Sequence, residues 1–174
     1  TCALPICFSR SSATDDLLKL LEGEGIPSPV KVGALVGLER HTRFGVDAQY
    51  APRIAAATLA IMTSDEPPAD AADNVADWMR VQAVRVLVNL YARGGLTAEA
   101  HDALVKLVST KEMGLDDRCE VAEALNRTLY EGAQGVDPAT MAAALGQLAV
   151  DVLAAESRAA RRYQDEALGT GAGL

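Results

Sequence analysis

One short pattern occurs three times along the chain, and that repetition limits what the chain can fold into. Lys31, Ala34, Leu35 and Leu38 stand at offsets 0, 3, 4 and 7; Arg80, Ala83, Val84 and Leu87 repeat those offsets, and so do Arg118, Val121, Ala122 and Leu125. Steps of three and four place the apolar members on one face of a helix, and a basic residue opens each copy. A chain that makes the same amphipathic helix at intervals has the same stripe to bury several times. Stacked helices do this. A sheet, whose side chains alternate with period two, does not.

The central copy is the longest. Between Trp78 and Gly95, the residues Met79, Ala83, Val84, Leu87, Val88 and Tyr91 hold one face, mostly interrupted by Arg80, Gln82, Arg85, Asn89 and Arg93. Gly94 and Gly95 end it, because glycine reaches the left-handed cap conformation without a Cβ clash.

Composition agrees with helix packing. Apolar residues make up 49% of the 174-residue chain but aromatics only 4%, and alanine, a small side chain that lets helices approach closely, carries much of the difference. The length suits one domain with a real core. No apolar run approaches the roughly 18–20 residues of a membrane helix, so no membrane span is expected. A net charge of −8 repels phosphate backbones, which disfavours broad nucleic-acid binding while leaving room for a local basic patch.

Taken in order, residues 1–12 read as a disordered lead-in, 13–168 as a single helical domain and 169–174 as a flexible tail. Thr1–Phe8 is too short for a complete secretory signal and lacks its basic leader, but suits the remnant of one, so a soluble cytoplasmic or exported protein is expected. Thr14 with Asp15 and Asp16 resembles a helix start; Leu17, Leu18, Leu20 and Leu21 follow. Pro27-Ser28-Pro29 gives a second start, with the serine as cap, for a helix that stops at Gly45. Pro52 opens a third, whose face is Ile54, Ala55, Thr58, Leu59 and Met62.

Five acids and two adjacent prolines between Asp65 and Asp77 mark an exposed loop; the glycine turn and terminal glutamate of a calcium loop are missing. Thr97 caps a helix with Ala100, Leu104, Leu107 and Val108 on its face. Asp116-Asp117 starts another that reaches about Gly132. Asp137-Pro138 opens the last, lined by Met141, Leu145, Leu148 and Val152. Beyond Glu156, Arg161–Asp165 and Arg162–Glu166 are spaced to hold the tail helical. The expected architecture is therefore all-α: about three stacked antiparallel helix pairs, 29–63, 78–111 and 116–157, forming an α-solenoid after one short helix.

The stretches Arg80-Val-Gln-Ala-Val-Arg-Val-Leu-Val-Asn-Leu and Arg118-Cys-Glu-Val-Ala-Glu-Ala-Leu-Asn-Arg are similar to the first helix of HEAT-like repeats, in which a basic residue precedes paired small apolar residues and a leucine. With Val136-Asp-Pro and Ala-Ala-Leu-Gly-Gln-Leu-Ala, residues 29–157 resemble uncharacterised bacterial HEAT-repeat proteins. The resemblance implies an armadillo-type right-handed superhelix and a protein-binding role. It carries no activity, since the motif encodes packing.

Candidate chemistry is sparse. His41 and His101 lack a second metal ligand at helical spacing and read as exposed or capping residues. Cys2 and Cys7 suit a bridge, half a metal site or two apolar positions in the lead-in; Cys119 reads as a small core residue. Asp15-Asp16 and Asp116-Asp117 are better helix starts than acid–base couples. Gly169-Thr-Gly-Ala-Gly has no following helix to make it a phosphate loop. No nucleophile elbow or zinc-protease motif occurs.

The arginines Arg40, Arg43, Arg53, Arg80, Arg85 and Arg93 suit either a structural ladder paired with neighbouring acids or a cationic groove. Trp78 suits either a binding platform or a plug between repeats. The expectation is a non-enzymatic interaction or scaffold module without cofactor, catalytic residue or metal, whose partner is another protein or peptide. The alternatives are a nucleic-acid-binding or base-repair HEAT-like protein and a tetrapyrrole lyase or chaperone. The expected binding surface is the row of second helices, 51–63, 97–111 and 139–156, with Arg53, Glu99, His101, Lys106, Gln147 and Asp151 as its polar members.

Overall fold

The computed structural model describes residues 10–64, 70 and 74–171, with side-chain environments given for 12–64, 70 and 74–166. Among these residues the chain is all-helical with no strand. The helices are α1 (Arg10–Glu22), α2 (Ser28–Phe44), α3 (Ala51–Thr63), α4 (Val75–Tyr91), α5 (Ala98–Ser109), α6 (Leu115–Leu125) and α7 (Pro138–Gly171). A single 3-10 turn, Ala48–Tyr50, precedes α3.

The even-numbered helices lie side by side, with α4 between α2 and α6. The odd-numbered helices form a second row in which α1 meets α3, α3 meets α5 and α5 meets α7. Between the rows, the main seams are α1–α2, α3–α4, α5–α6 and α6–α7. Each odd helix thus joins the even helix that follows it, one helix out of step with the pairs expected at 29–63 and 78–111. The cause is α4, which buries Met79, Val81, Gln82, Ala83, Val84, Val86, Leu87 and Val88 and so takes neighbours on more than one side. Gln82, expected on a polar face, is among them.

The repeated stripe is the inner face of the even row. Ala34, Leu35 and Leu38, then Ala83, Val84 and Leu87, then Val121 and Leu125 are buried, and Ala122 is half-buried. The basic residue opening the second and third copies has a shared task. Arg80 donates to the carbonyl of Ser64, the C-cap of α3, at 2.8 Å, and Arg118 donates to the carbonyl of Val108 near the end of α5, also at 2.8 Å. Each guanidinium answers helix-terminal carbonyls that lack an intrahelical partner.

Several expected helix ends hold. Gly45 closes α2 at φ 93°, the side chain of Thr97 accepts from the amide of Ala100, and Asp137 accepts from the Ala139 amide and the Thr140 hydroxyl at the start of α7. Others differ. Thr14 is no cap, because α1 starts at least as early as Arg10 and buries Thr14 within it. The Ser28 hydroxyl does not cap its own helix; both its amide and its hydroxyl donate to the Asp70 carboxylate, at 2.8 and 2.5 Å, so the cap arrives from the acidic connection 42 residues away.

α6 stops at Leu125 instead of continuing to Gly132. The turn after it, with Gly132 and Gly135 at φ 72° and 70°, folds back onto the α4–α5 junction. There the Gly95 amide donates to the Glu131 carbonyl at 3.0 Å, and Thr97 bridges to Gln134. Gly94, at φ 97°, is required here, since a Cβ would sit 2.5 Å from the Glu131 carbonyl oxygen.

Residues 10–12 of the expected lead-in belong to α1, and 169–171 of the expected tail belong to α7; residues 1–9, with Cys2 and Cys7, lie outside the described residues, as do 65–69 and 71–73 of the acidic connection. α7 is also long and apolar enough, over Pro138–Glu166, to cross a membrane by length and composition alone, although it holds no uninterrupted apolar run of that length. Met141, Ala144 and Leu148 nevertheless seat it on the bundle, and Asp151 near its middle pairs with Arg118 at 2.9 Å.

Candidate functional site

A concavity opens where the ends of α1 and α3 meet the starts of α2 and α4. It has a volume of about 680 Å³; Ala57, Ala60, Ile61 and Met79 give it an apolar floor, and Lys31 and Arg80 stand among its charged groups. The same end of the bundle carries a second concavity of about 550 Å³, between the starts of α4 and the ends of α3 and α5, with Lys106, Leu107 and Met113 among its lining. Ser64, Ala76 and Arg80 border both. Arg80 therefore stands on the border the two concavities share, fixed there by Asp77 at 2.7 Å and by the Ser64 carbonyl.

The groove follows from residues at the edge of the core. α3 buries Ile54, Thr58, Leu59 and Met62, while the half-buried Ala57 and Ile61, packed on the core's margin, and the exposed Ala60 line the groove. The rim is of mixed sign. Glu22 reaches Arg53, and Asp70 is held by Ser28, whose hydroxyl and amide keep its carboxyl below the usual carboxylate range, with Lys31 nearby adding to the effect. Ala57, Ala60 and Ile61 fall within the expected row at 51–63, and Lys106 was one of its polar members, whereas Glu22, Lys31, Asp70, Met79 and Arg80 lay outside it. The available signal was α3 itself, which has more apolar residues than one buried face uses.

The expected row has a different fate. Arg53 is bound to Asp15 at 2.7 Å and to Glu22, which together, Glu22 foremost, push its pKa further up; it clamps α3 to α1. Asp151 is held below its ordinary range by Arg118 and then Gln147, so both acceptor and amide belong to the α6–α7 seam. His101 is buried, contrary to the exposed or capping role expected of it. Glu99 and Lys106 are exposed, and Glu99 borders a shallow concavity of about 410 Å³ between α3 and α5.

His101 sits edge-on to Tyr130, ring centres 6.2 Å apart, because the turn after α6 covers α5. Among the described residues its Nε2, the Tyr130 hydroxyl and Thr128 Oγ1 are buried without a protein hydrogen-bond partner, and burial raises the Tyr130 pKa. His41 is half-buried and bonded through Nδ1 to Thr14 Oγ1 at 3.0 Å, tying α2 to α1. Cys119 is exposed on α6, since the stripe through Val121 and Leu125 turns it outward.

Of the six arginines, four carry acids: Arg43 with Glu39, Arg53 with Asp15 and Glu22, Arg80 with Asp77, and Arg85 of α4 with Glu120 of α6. Arg53 and Arg85 make these pairs between helices and Arg43 and Arg80 within their own, so the structure does not gather the set as one basic surface. Arg40 and Arg93 are exposed, and Trp78 is 37% exposed at the start of α4. Among the described residues no three His, Cys, Asp or Glu side chains gather as a metal set. No protein-family model, curated protein or solved structure matches the chain.

Proposed function

We propose that this chain is a non-enzymatic interaction module, a short HEAT-like α-solenoid, and that it takes a peptide segment of another protein in the groove across Arg80. Two features support the solenoid: the stripe buried in each even helix, and the matching grip of Arg80 and Arg118 on the end of the preceding odd helix.

The observation that carries the binding role is the groove, with its apolar floor at Ala57, Ile61 and Met79 and rim charges of both signs. Such a site takes an apolar anchor side chain and selects its flanks by charge. A polyanion fits it poorly, because Arg53 and Arg80 already hold carboxylates.

Peptide-display selection against the chain tests this reading. Enriched peptides should carry one large apolar residue between charged ones, and calorimetry should find their binding lost in Ala60→Trp, which fills the groove from an exposed helix position. Failure to enrich, or binding indifferent to Ala60→Trp, would refute it. Titration with duplex and single-stranded DNA covers the other class. Sub-micromolar, strongly salt-dependent binding that disappears on reversing Arg53 or Arg85 would replace the peptide with a nucleic acid.

A further inference from the structure

The outer face of α7 carries no free charge over most of its length. From Pro138 to Ala155 its one charged residue is Asp151, which turns to Arg118. Exposed charge is common on other helices, among them Lys19 on α1, Arg43 on α2, Glu99 and Asp102 on α5, and Glu120 on α6. Opposite the seam of Met141, Ala144 and Leu148 runs a fully exposed stripe: Ala139, Ala143, Gly146, Val150, Leu153 and Ser157. Its two large members are well out in solvent, Val150 at 57% and Leu153 at 67%.

The stripe is self-complementary. Its steps of four and three read the same in both directions about Leu148, with small residues on one side and larger ones on the other. Laid antiparallel on a second copy, Val150 falls opposite Gly146 and Leu153 opposite Ala143, large onto small at each level. At Gly146 an added Cβ would meet only open space, so a partner side chain can approach the helix backbone there.

The charges agree with the same arrangement. Arg158, Arg161 and Arg162 follow the stripe and reach past the start of the opposing α7, where Asp137 and Glu131 are exposed. The Asp137 carboxyl is held below its ordinary value, first by the Thr140 hydroxyl and then by the Ala139 amide. The two-fold axis makes this contact at both ends.

We propose that two copies of this chain associate through α7 in antiparallel fashion, with Val150 and Leu153 of each seated over Gly146 and Ala143 of the other. The proposal is independent of the groove at Arg80, whose lining includes no residue of α7. The contact from Ala139 to Ser157 is about 27 Å long at 1.5 Å per residue. A single helix pair of that length is small beside a standard interface, so the dimer is dissociable and concentration-dependent.

Analytical ultracentrifugation of the whole chain, from low micromolar to several hundred micromolar, tests the proposal alongside Gly146→Leu and Val150→Asp. The wild type should pass from monomer to dimer. Gly146→Leu blocks that approach and should weaken dimerisation by roughly tenfold or more, while its circular-dichroism melt holds or rises because leucine favours helix. Val150→Asp should abolish dimerisation. A wild type that stays monomeric throughout overturns the proposal, as does a dimer strengthened by Gly146→Leu, which would mean parallel pairing of like positions. Co-sedimentation of the monomer with phosphatidylcholine vesicles, lost in Val150→Asp, would assign the face to a bilayer instead and equally overturn it.

Discussion

Arg118 donates its Nε–H to the carbonyl of Val108 at 2.8 Å while its other arm reaches Asp151 at 2.9 Å, so one buried guanidinium ties α6 to both α5 and α7. Arg80 makes the same carbonyl contact but pairs with Asp77 of its own helix and is less buried. Arg118→Leu should therefore lower the thermal midpoint more than Arg80→Leu. Arg118→Lys should not restore it, since an ammonium lacks the planar fork that spans two acceptors. Equal losses in the two leucine variants would refute the three-helix tie.

Leu87 and Leu125 occupy the same place in successive copies of the pattern, yet Leu87 is fully enclosed and Leu125 is 8% exposed on the last even helix. Each truncation to alanine should cost about 2–5 kcal/mol by urea denaturation, with Leu87→Ala nearer the top of that range. A negligible cost for either would mean that the buried stripe is misassigned.

Two glycines should respond with opposite sign. Gly33 lies within α2 with open space around a Cβ, so Gly33→Ala should stabilise the chain by about 0.5–1 kcal/mol. Gly94 has φ 97° and the Glu131 carbonyl in the way, so Gly94→Ala should destabilise it by about 1–3 kcal/mol. Denaturant midpoints report both.

Acid should loosen the start of α2. Asp70 has its pKa lowered from 3.8 chiefly by the Ser28 hydroxyl, then by the Ser28 amide. A carboxyl that releases its proton more readily when folded contributes stability above 3.8, and that contribution is lost as pH falls through the lowered folded value. Asp70→Ala should thus be less stable than wild type at neutral pH, with the difference closing in strong acid. A pH-independent difference in urea midpoint would show that charge at Asp70 plays no part in the cap.

Where periodicity and caps carried the information, the sequence was a good guide: the all-helical class, the stripes of α2, α4 and α6, the stop at Gly45, and the Thr97 and Asp137 caps. What it concealed depends on distant partners. Ser28 looks like its own cap until Asp70 reaches it across 42 residues, and His101 reads as polar until the turn bearing Tyr130 covers it. Arg53 and Asp151, read as surface, are internal fasteners because their partners lie 38 and 33 residues away. α6 was read too long because the turn beyond it holds apolar and aromatic residues in helical company, and only the Gly95–Glu131 contact explains their departure.

The position of α4 bears on how the molecule comes apart. Arrays in which each unit touches only the next unravel from an end, since terminal units have one neighbour to lose. Here α4 is bonded into both rows at once, against α2, α3 and α6. Stripping away α6 and α7 uncovers one flank of the same helix on which α2 and α3 depend. Loss of either end therefore weakens the other through a shared support, and the chain should melt as one cooperative unit, with the amides of α4 the last to exchange with solvent.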